Sequence, residues 1–285
     1  MESWTHLIRF VAVEDGKIHL GQLVDSNRDV GEDSRNGYPI HARLIEGSIY
    51  DEKDTQSLKV CFQLLSPIDP KSCPFIRCIG LNYKLHAKEA NFPIPTVPAL
   101  FSKPRTAISN PYPETINIPK CAQDGTSDYE AELVIVIGKS ARDITAEQAP
   151  NFILGYTAAN DVSARAIQMK SAMPCFSKGM DSSCPLGPCL VSPTAIHDPQ
   201  DLSIGATYNG VTVQNGNTSD MVFGVYQLVA YLSQGTTLEP GSIILTGTPQ
   251  GIGYFRSPRI FLDDGDDIRV HIGKIGTLIN RVHYE

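Results

Sequence analysis

The stretch DYEAELVIVIGK, residues 128–139, carries acids at alternate positions and then runs into continuous aliphatic residues. Its tail, Leu133–Ile137, is rich in β-branched residues and predicts a strand that enters a core. Because side chains alternate between the two faces of a strand, Asp128, Glu130 and Glu132 are expected to point the same way. Carboxylates on one face of such a strand need either water, at a sheet edge, or a bound cation.

Composition limits the class of protein. The chain has 285 residues, 41% of them hydrophobic and 19% charged, which is typical of a globular protein with one large domain or two modest ones. Its apolar runs are strand-sized, far short of the roughly 20 residues that span a bilayer. A net charge of −7 without long charged blocks argues against nucleic acid or an anionic membrane as a partner.

Cysteine usage and the N-terminal stretch bear on location. Seven cysteines, an odd number, form no CxxC pair and have no histidines at zinc-ligand spacing. We interpret them as reduced thiols of an intracellular protein. The stretch MESWTHLIRF has neither the apolar core of a signal peptide nor the Arg-rich pattern of a transit peptide. A cytoplasmic location is therefore expected, with a mitochondrial one left open.

The pattern divides the chain in two. Residues 1–70 predict a small N-terminal β segment and residues 71–285 a larger domain, with a proline-rich loop at 66–74 between them. Within the first part, HLIRFVAV and KIHLGQLV predict a hairpin around Glu14–Gly16, and residues 26–57 are polar and irregular.

Strands outnumber helices in the remaining pattern. Asn209-Gly210, between two alternating runs, is a strong hairpin signal. Strands are predicted at 59–65, 75–81, 115–118, 129–138, 152–160, 242–248, 259–262, 267–272 and 277–284. Helices are predicted at 83–90, 145–150, 162–170 and 221–233. The predicted class is therefore α+β, mainly β, rather than a doubly wound parallel sheet.

Asp161, in the loop-like stretch AANDVSAR, adds a carboxylate downstream of the acidic strand. Carboxylates on one buried face repel one another unless a cation pairs with them. All-oxygen ligands suit Mg²⁺, Mn²⁺ or Ca²⁺ rather than zinc. Because E-x-E is a common pattern, spacing alone leaves a solvated edge strand open. Asp128 is expected at the solvent end of the strand, outside the site.

Three further stretches carry candidate chemistry. His86 and Glu89, three residues apart on a predicted helix, share a face and could form a general base, or an ordinary solvated pair. Lys178, in FSKGMDSSCPLGP, could neutralise a substrate carboxylate or an enolate, or could lie on the surface. Thr248, in ILTGTPQGIG, enters a small-residue loop that either holds a small anion or forms a plain turn.

The chain has no G-x-S-x-G elbow, no dinucleotide-binding fingerprint and no H-E-x-x-H motif. Five other motifs occur in order: N-Y-x-x-H-x-x-E, E-x-E, N-D-V-S-A-R-x-x-Q, S-K-G-x-D and T-G-T-P-x-G-x-G. Together they resemble the fumarylacetoacetate hydrolase (FAH) family over residues 75–285, and the N-terminal segment resembles it loosely. The runs CPLGPCLV, NTSDMVF and ILTGTPQGIGYFRSP are most similar to eukaryotic FAH domain-containing proteins of the oxaloacetate tautomerase type.

The resemblance implies a mixed β-sandwich roll, a homodimer, and a site that binds Mg²⁺ or Mn²⁺ beneath a lid segment. By position it implies metal ligands Glu130, Glu132 and Asp161, catalytic residues His86, Glu89 and Lys178, and substrate-binding residues Arg165, Gln168 and Thr248. Two departures affect substrate choice. Ala166 stands where the family often has an acid, and the 169–177 loop has Phe176 as its one aromatic residue, where the family usually carries a tryptophan on a slightly longer loop.

The implied substrates share a 2-oxo acid or 1,3-dicarbonyl unit, and each implied reaction passes through an enolate. The first hypothesis is a Mg²⁺-dependent enzyme, with Mn²⁺ possible, that acts on oxaloacetate or a related β-dicarbonyl 2-oxo acid, foremost as a keto–enol tautomerase. The alternative is a C–C hydrolase or decarboxylase of an acylpyruvate or a larger 1,3-diketone. A third hypothesis is a catalytically silent member that binds a metal–carboxylate ligand or serves as a partner protein. The expected partners are a small-molecule substrate and a second copy of the chain.

Overall fold

The computed structural model describes residues 4–50 and 53–285. Its strands are β1 (His6–Ala12), β2 (Ile18–Leu23), β3 (Ile40–Glu46), β4 (Lys53–Leu65), β5 (Ile76–Gly80), β6 (Ala99–Lys103), β7 (Ile108–Ser109), β8 (Thr115–Ile118), β9 (Ser127–Asp128), β10 (Ala131–Ile137), β11 (Ile153–Asn160), β12 (Ser163–Ala164), β13 (Cys184–Val191), β14 (Ser203–Tyr208), β15 (Val211–Asn217), β16 (Ile243–Leu245), β17 (Asp267–Ile272) and β18 (Gly276–Tyr284). Its α-helices are α1 (Val30–Asn36), α2 (Lys84–Glu89), α3 (Arg165–Gln168), α4 (Cys175–Lys178) and α5 (Val225–Leu232). Strands dominate and the helices are short, which confirms the predicted class.

A mixed sheet forms the centre of the molecule. Its strand order is β2-β3-β4-β1-β13-β11-β10-β16-β5-β6, with β7 beside β13. β10 runs antiparallel to both β11 and β16. All seven side chains of β10 are buried, which is why it appears in the sequence as a continuous aliphatic run rather than an alternating one. The predicted strand that enters the core is confirmed.

The side chains of β10 alternate between two cores. Leu133, Ile135 and Ile137 pack into the core that also holds apolar side chains of β17. Val134 and Val136 pack on the opposite face, in a core shared with β5 and β16. Each such side chain contributes roughly 1.5–3 kcal/mol by leaving water. β17 belongs to a second sheet of order β15-β14-β17-β18-β8, so the two sheets face each other across a common core and form the expected β-sandwich roll.

The N-terminal strands continue the large sheet. β1 and β2 form the predicted hairpin, with Leu7 opposite Gln22. β1 also pairs with β13, where His6 lies opposite Val191. The division of the chain into two parts near residue 70 stays a prediction.

Residues 26–57 are more ordered than predicted, although residues 51–52 lie outside the described part of the chain. Asp29 caps α1 by accepting hydrogen bonds from the N–H groups of Gly31 and Glu32. Gly37 ends the helix in the left-handed conformation. β3 then pairs with β2 and β4. The expectation of an irregular segment is wrong because these capping residues outweigh its polarity.

Three predicted elements differ from the structure. Residues 145–150 form only a 3₁₀ turn at their end. The helix predicted at 162–170 is reduced to α3 and is preceded by β12. Residues 259–262 form no strand, because their backbone makes separate hydrogen bonds rather than a continuous ladder: the Leu262 N–H donates to the Ser127 carbonyl over 2.8 Å and the Ile260 N–H to the Gly253 carbonyl over 3.2 Å. Within the described ranges, no helix has the length and apolar character needed to cross a membrane.

Candidate active site

Three buried carboxylates meet beside the central strands. Glu132 is on β10, Glu130 lies in the break between β9 and β10, and Asp161 directly follows β11. Because β10 and β11 are antiparallel neighbours, the three positions come together, and the Asp161 N–H donates to the Glu130 carbonyl over 2.9 Å. One oxygen of each side chain lies within 4.8 Å of the others, and all three side chains are buried. The residues implied as metal ligands therefore form one cluster.

Two buried lysines neutralise part of this cluster. Lys178 Nζ lies 2.8 Å from Glu130 Oε2 and 2.7 Å from Asp161 Oδ2. Lys103 Nζ lies 2.7 Å from Asp161 Oδ1 and donates hydrogen bonds to the carbonyls of Lys178 and Ser183. Lys103 could not be identified from the sequence, because a single lysine at the end of β6 belongs to none of the five motifs. Lys103 holds both Asp161 and the backbone that carries Lys178.

Glu132 is the member of the cluster without a cation. Its Oε2 accepts a hydrogen bond from the Gly247 N–H over 2.7 Å, and no basic side chain in the described ranges forms an ion pair with it. Burial raises the pKa of Glu132 well above its usual value, and the charges of Asp161 and Glu130 raise it further. A divalent cation would neutralise this buried negative charge, and carboxylate oxygens are the donors that Mg²⁺ and Mn²⁺ prefer. The residues present therefore fit a divalent cation.

Glu130 and Lys178 are both held in their charged forms. Burial on its own raises the pKa of Glu130, but the Lys178 ammonium and the Arg165 guanidinium outweigh it and lower the pKa to about 2. Burial lowers the pKa of Lys178, but Asp161 and Glu130 outweigh it and raise the pKa above its usual value. Lys178 is therefore a fixed cation rather than a proton-accepting base.

Arg165, the first residue of α3, links the cluster to its neighbours. Its Nη2 donates to Glu130 Oε1 over 2.6 Å and its Nη1 to Gln168 Oε1 over 2.9 Å. Its Nε donates to Asp128 Oδ2 over 2.8 Å. The guanidinium is buried, so these bonds orient Glu130 and Gln168 relative to each other.

Asp128 is fully buried, so the expectation that it lies at the solvent end of the strand is wrong. Besides the bond from Arg165, it accepts hydrogen bonds from the Gly253 N–H at 2.8 Å and the Tyr254 N–H at 3.0 Å. The regular alternation stops at the break between β9 and β10, so Asp128 is not one more member of the Glu130 and Glu132 face. It connects the site to a distant loop instead.

His86 and Glu89 make the predicted contact on α2. His86 Nδ1 lies 2.7 Å from Glu89 Oε1. The Glu89 carboxylate also accepts the Gly251 N–H, at 3.0 and 2.9 Å. The centroids of the His86 and Phe255 rings lie 6.1 Å apart. The pair therefore ties α2 to the segment that follows β16.

That segment, residues 247–254, is named here the glycine loop, and three carboxylates from separate elements hold its backbone. The bonds run from the Gly247 N–H to Glu132, from the Gly251 N–H to Glu89 and from the Gly253 N–H to Asp128. A Cβ on Gly253 would lie 1.7 Å from the Ile260 carbonyl oxygen and 2.7 Å from Asp128 Oδ1. Only glycine lets the backbone approach the carboxylate so closely.

A cavity of about 420 Å³ opens onto this arrangement. The charged, buried side chains that line it are named here the floor: Glu130, Glu132, Arg165 and Lys178. The large, exposed apolar side chains that line it are named the rim: Phe92, Leu100, Met169 and Met173. Three more of the predicted site residues line the cavity, His86, Gln168 and Thr248, whereas Glu89 and Asp161 stand behind the lining.

The 169–177 loop supplies two of the four rim residues, Met169 and Met173. Phe176 is 69% exposed and does not line the cavity within the described part of the chain. α4 then turns Lys178 inwards to the floor. The loop that departs from the family pattern therefore forms part of the cavity mouth.

Comparison with known families matches the chain to one of them. The pattern of the fumarylacetoacetate (FAA) hydrolase C-terminal family matches residues 75–283. This range contains every predicted site residue.

Two relatives and one solved structure illustrate the similarity. Caffeoylpyruvate hydrolase of Neonothopanus nambi is 42% identical over 291 residues, covering 99% of this chain and 94% of that protein. Human mitochondrial oxaloacetate tautomerase FAHD2A is 44% identical over 207 residues, covering 72% of this chain and 65% of that protein. The structure of fumarylpyruvate hydrolase from Pseudomonas aeruginosa, in complex with Mn²⁺ and pyruvate, is 32% identical with a TM-score of 0.67, covering 75% of this chain and 91% of that one.

Proposed function

The chain belongs to the fumarylacetoacetate hydrolase family of enzymes, and from this premise we propose that it is a Mg²⁺-dependent enzyme acting on oxaloacetate or a related β-dicarbonyl 2-oxo acid, foremost by keto–enol tautomerisation. The observation that carries the proposal is the meeting of three carboxylates, a fixed ammonium and a carboxylate-paired imidazole at one cavity. A tautomerase needs a proton carrier and fixed positive charge for the enolate, and this set supplies both.

Glu130, Glu132 and Asp161 are the residues that would hold the cation. When bound, the cation polarises the substrate carbonyls and stabilises the negative charge of the enolate. Mg²⁺ is the first choice, because it prefers carboxylate oxygens. Mn²⁺ is the second, since it accepts similar ligands and the fumarylpyruvate hydrolase structure contains it.

His86 and Lys178 are assigned the proton transfer and the charge stabilisation. Glu89 holds His86 by Nδ1, which leaves Nε2 to take a proton from the carbon between the two carbonyls and to return it to the other tautomeric position. Lys178 keeps its proton and stabilises the developing enolate oxygen by its charge.

Arg165, Gln168 and Thr248 are assigned to the substrate carboxylate. The Nε and both Nη atoms of Arg165 donate to protein groups, but each Nη carries a second proton. Arg165 therefore contributes electrostatic attraction and keeps N–H donors for the substrate carboxylate. Gln168 and Thr248 line the cavity and are assigned the direct hydrogen bonds.

The test follows the ultraviolet absorbance of enol-oxaloacetate as it disappears, with and without the enzyme and Mg²⁺. The wild type is expected to speed the loss, and His86→Ala to slow it by about 10²–10⁴-fold, the usual contribution of a general base. His41→Ala, which removes an exposed histidine of β3, is the matched control and is expected to behave as the wild type. Equal rates for wild type and His86→Ala would remove His86 from the mechanism.

A second candidate is hydrolysis or decarboxylation of a larger substrate, such as an acylpyruvate or a 1,3-diketone. The cavity volume and the four apolar rim residues favour it, because oxaloacetate is small and offers them no apolar group. The Neonothopanus nambi relative, similar over 99% of this chain, is named a hydrolase of caffeoylpyruvate. In hydrolysis, water adds to the carbonyl remote from the carboxylate, the C–C bond breaks, and the enolate leaves and takes up a proton.

A substrate panel separates the two candidates. Oxaloacetate, acylpyruvates and fumarylacetoacetate are incubated with the enzyme while pyruvate, CO₂ and the tautomer ratio are followed together. A faster approach of the tautomer ratio to its equilibrium value, without pyruvate, supports tautomerisation, whereas pyruvate from an acylpyruvate supports hydrolysis. The silent hypothesis loses weight because the relatives are named as enzymes.

Assembly and location remain part of the proposal. A homodimer is proposed from the family resemblance alone. A cytoplasmic location is proposed from the sequence, and the human relative is named as mitochondrial, so that location stays an alternative.

A further inference from the structure

Gln214, a residue that no sequence motif singled out, connects three parts of the site. It lies on β15 and is almost completely buried. Its side-chain amide contacts Ala131, at the start of β10, and both Thr248 and Pro249 in the glycine loop. It therefore joins the strand that carries Glu132 to the loop that carries Thr248.

The direction of these bonds is fixed by chemistry. The Ala131 N–H can only donate, so the Gln214 atom 2.9 Å away must be the carbonyl oxygen Oε1. The Pro249 carbonyl can only accept, so the atom 2.9 Å from it must be the amide nitrogen Nε2. Two backbone groups thus determine the orientation of the amide independently of each other.

This orientation determines what Thr248 can do. Gln214 Nε2 lies 2.8 Å from Thr248 Oγ1 and uses its second proton to donate to that hydroxyl. A hydroxyl that accepts along one direction keeps its own proton for another. Within the described ranges, the Thr248 proton has no acceptor, and Thr248 lines the cavity.

We propose that Gln214 is a positioning residue that makes the Thr248 hydroxyl a fixed hydrogen-bond donor into the cavity, for a carboxylate oxygen of the substrate. This inference rests on the proposed function, because it takes the cavity as the binding place of a 2-oxo acid. Thr248 therefore favours an anionic oxygen, which can only accept, over a substrate group that must donate. Gln214 sets this preference without touching the substrate.

The experiment measures the affinity for pyruvate by calorimetry in the presence of Mg²⁺. Thr248→Val removes the donor, and Gln214→Glu reverses the bond so that the threonine proton goes to the new carboxylate. Each is expected to weaken pyruvate binding by about 10-fold or more, the size of a hydrogen bond to a charged group. Thr248→Ser keeps the hydroxyl and is expected to stay within about twofold of the wild type.

The double variant separates positioning from charge repulsion or general damage. In the Thr248→Val background, Gln214→Glu is expected to have less than about a twofold further effect, because the hydroxyl on which it acts is gone. An equal loss in both backgrounds would overturn the proposal, and so would wild-type affinity in Thr248→Val.

If Gln214→Glu does not fold, as judged by thermal unfolding, the neutral Gln214→Met replaces it. The affinity difference between threonine and valine at position 248 is then expected to shrink, and an unchanged difference would overturn the proposal. Turnover of the substrate panel by the wild type is measured separately. Hydroxyl-dependent pyruvate binding without turnover would contradict the proposed function and leave this inference standing.

Discussion

The floor and the rim of the cavity are built in opposite ways. Floor residues are buried, and Glu130, Arg165 and Lys178 are each held by two ion pairs, whereas Glu132 accepts a hydrogen bond from the Gly247 N–H. Rim residues are exposed, lie on connecting segments or on β6, the edge strand of the large sheet, and have apolar side chains. Met173 is 60% exposed, whereas Lys178, five positions later, is 4% exposed. From this difference we propose that the floor carries the reaction and that the rim selects the substrate.

The largest effect is expected at Glu132. Glu132→Gln keeps the size of the side chain and removes the charge, so Mg²⁺ affinity and turnover are both expected to fall by more than about 100-fold. Because Glu132 has no cation partner of its own, the variant is also expected to unfold at the same or a higher temperature than the wild type when Mg²⁺ is absent. Calorimetric titration and thermal unfolding measure the two effects.

Glu147→Gln, at an exposed position, is the control and is expected to change neither quantity. Unchanged Mg²⁺ affinity in Glu132→Gln would break the assignment of the floor as the metal site.

The next effect is expected at Lys178. Lys178→Met leaves Glu130 without one of its two cations and Asp161 with only Lys103, so the free energy of unfolding is expected to fall by about 3–5 kcal/mol. The turnover number is expected to fall by about 10²–10³-fold, because a fixed charge at the enolate is lost. Denaturant titration and steady-state kinetics measure these, with the exposed Lys139→Met as the control. A stable and fully active Lys178→Met would contradict the role of the floor.

An intermediate effect is expected at Asp128, because this residue contacts the floor residue Arg165 and the glycine loop. Asp128→Asn replaces one carboxylate oxygen by an amide NH₂ group. The variant therefore cannot accept all the hydrogen bonds from Arg165 and from the Gly253 and Tyr254 N–H groups, and we expect the free energy of unfolding to fall by about 1–3 kcal/mol. The KM is expected to rise more than the turnover number falls, since Arg165 and the glycine loop line the cavity that is proposed to bind the substrate. An unchanged KM with reduced stability would limit Asp128 to a structural role.

Rim substitutions are expected to act on choice of substrate and hardly on stability. Met169→Ser with Met173→Ser is expected to lower kcat/KM for an acylpyruvate with an aryl substituent by about 10-fold, through lost apolar contact. The value for oxaloacetate is expected to stay within about twofold and the unfolding free energy within about 0.5 kcal/mol. Equal losses for both substrates would mean that the rim belongs to the reaction and not to its selectivity.

The smallest effect is expected far from the cavity, at His6. Burial lowers the pKa of His6, and the bond to the Lys274 carbonyl opposes this only in part. As the pH falls below the ordinary histidine pKa of about 6.5, His6 of the unfolded chain takes up a proton before His6 of the folded chain does. The free energy of unfolding is therefore unaffected by His6 above that pH and decreases below it. His6→Gln is expected to lose slightly less stability than the wild type between pH 7 and pH 5, while the pH dependence of turnover stays the same.

Local patterns predicted the elements that local forces determine. The aliphatic run of β10 and the Asn209-Gly210 turn, with φ of 47° and 80°, were visible because burial and left-handed backbone each select particular residue types at one place. The His86–Glu89 contact followed from helical spacing alone.

Contacts between distant segments could not be predicted in the same way. Asp128 meets Gly253, 125 positions later, and Gln214 meets Ala131 across 83 positions. Lys103 reaches Ser183 across 80. Each of these residues carries an ordinary side chain in an ordinary local context, so only the packing of the two sheets reveals its role. The alternation of residues 128–132 and the nearby Asp161 suggested a group of carboxylates, and the ordered set of family motifs then implied Glu130, Glu132 and Asp161 as its metal ligands.

The three-point attachment of the glycine loop has a consequence for engineering. Its contacts depend on backbone N–H groups and on missing side chains, so they leave the identity of the rim residues free. A library that varies positions 92, 169 and 173 while leaving 247–254 untouched should therefore yield folded variants with new substrate preferences. The same library placed in the glycine loop should yield mostly inactive protein. The site can thus acquire new selectivity without its reaction having to be rebuilt.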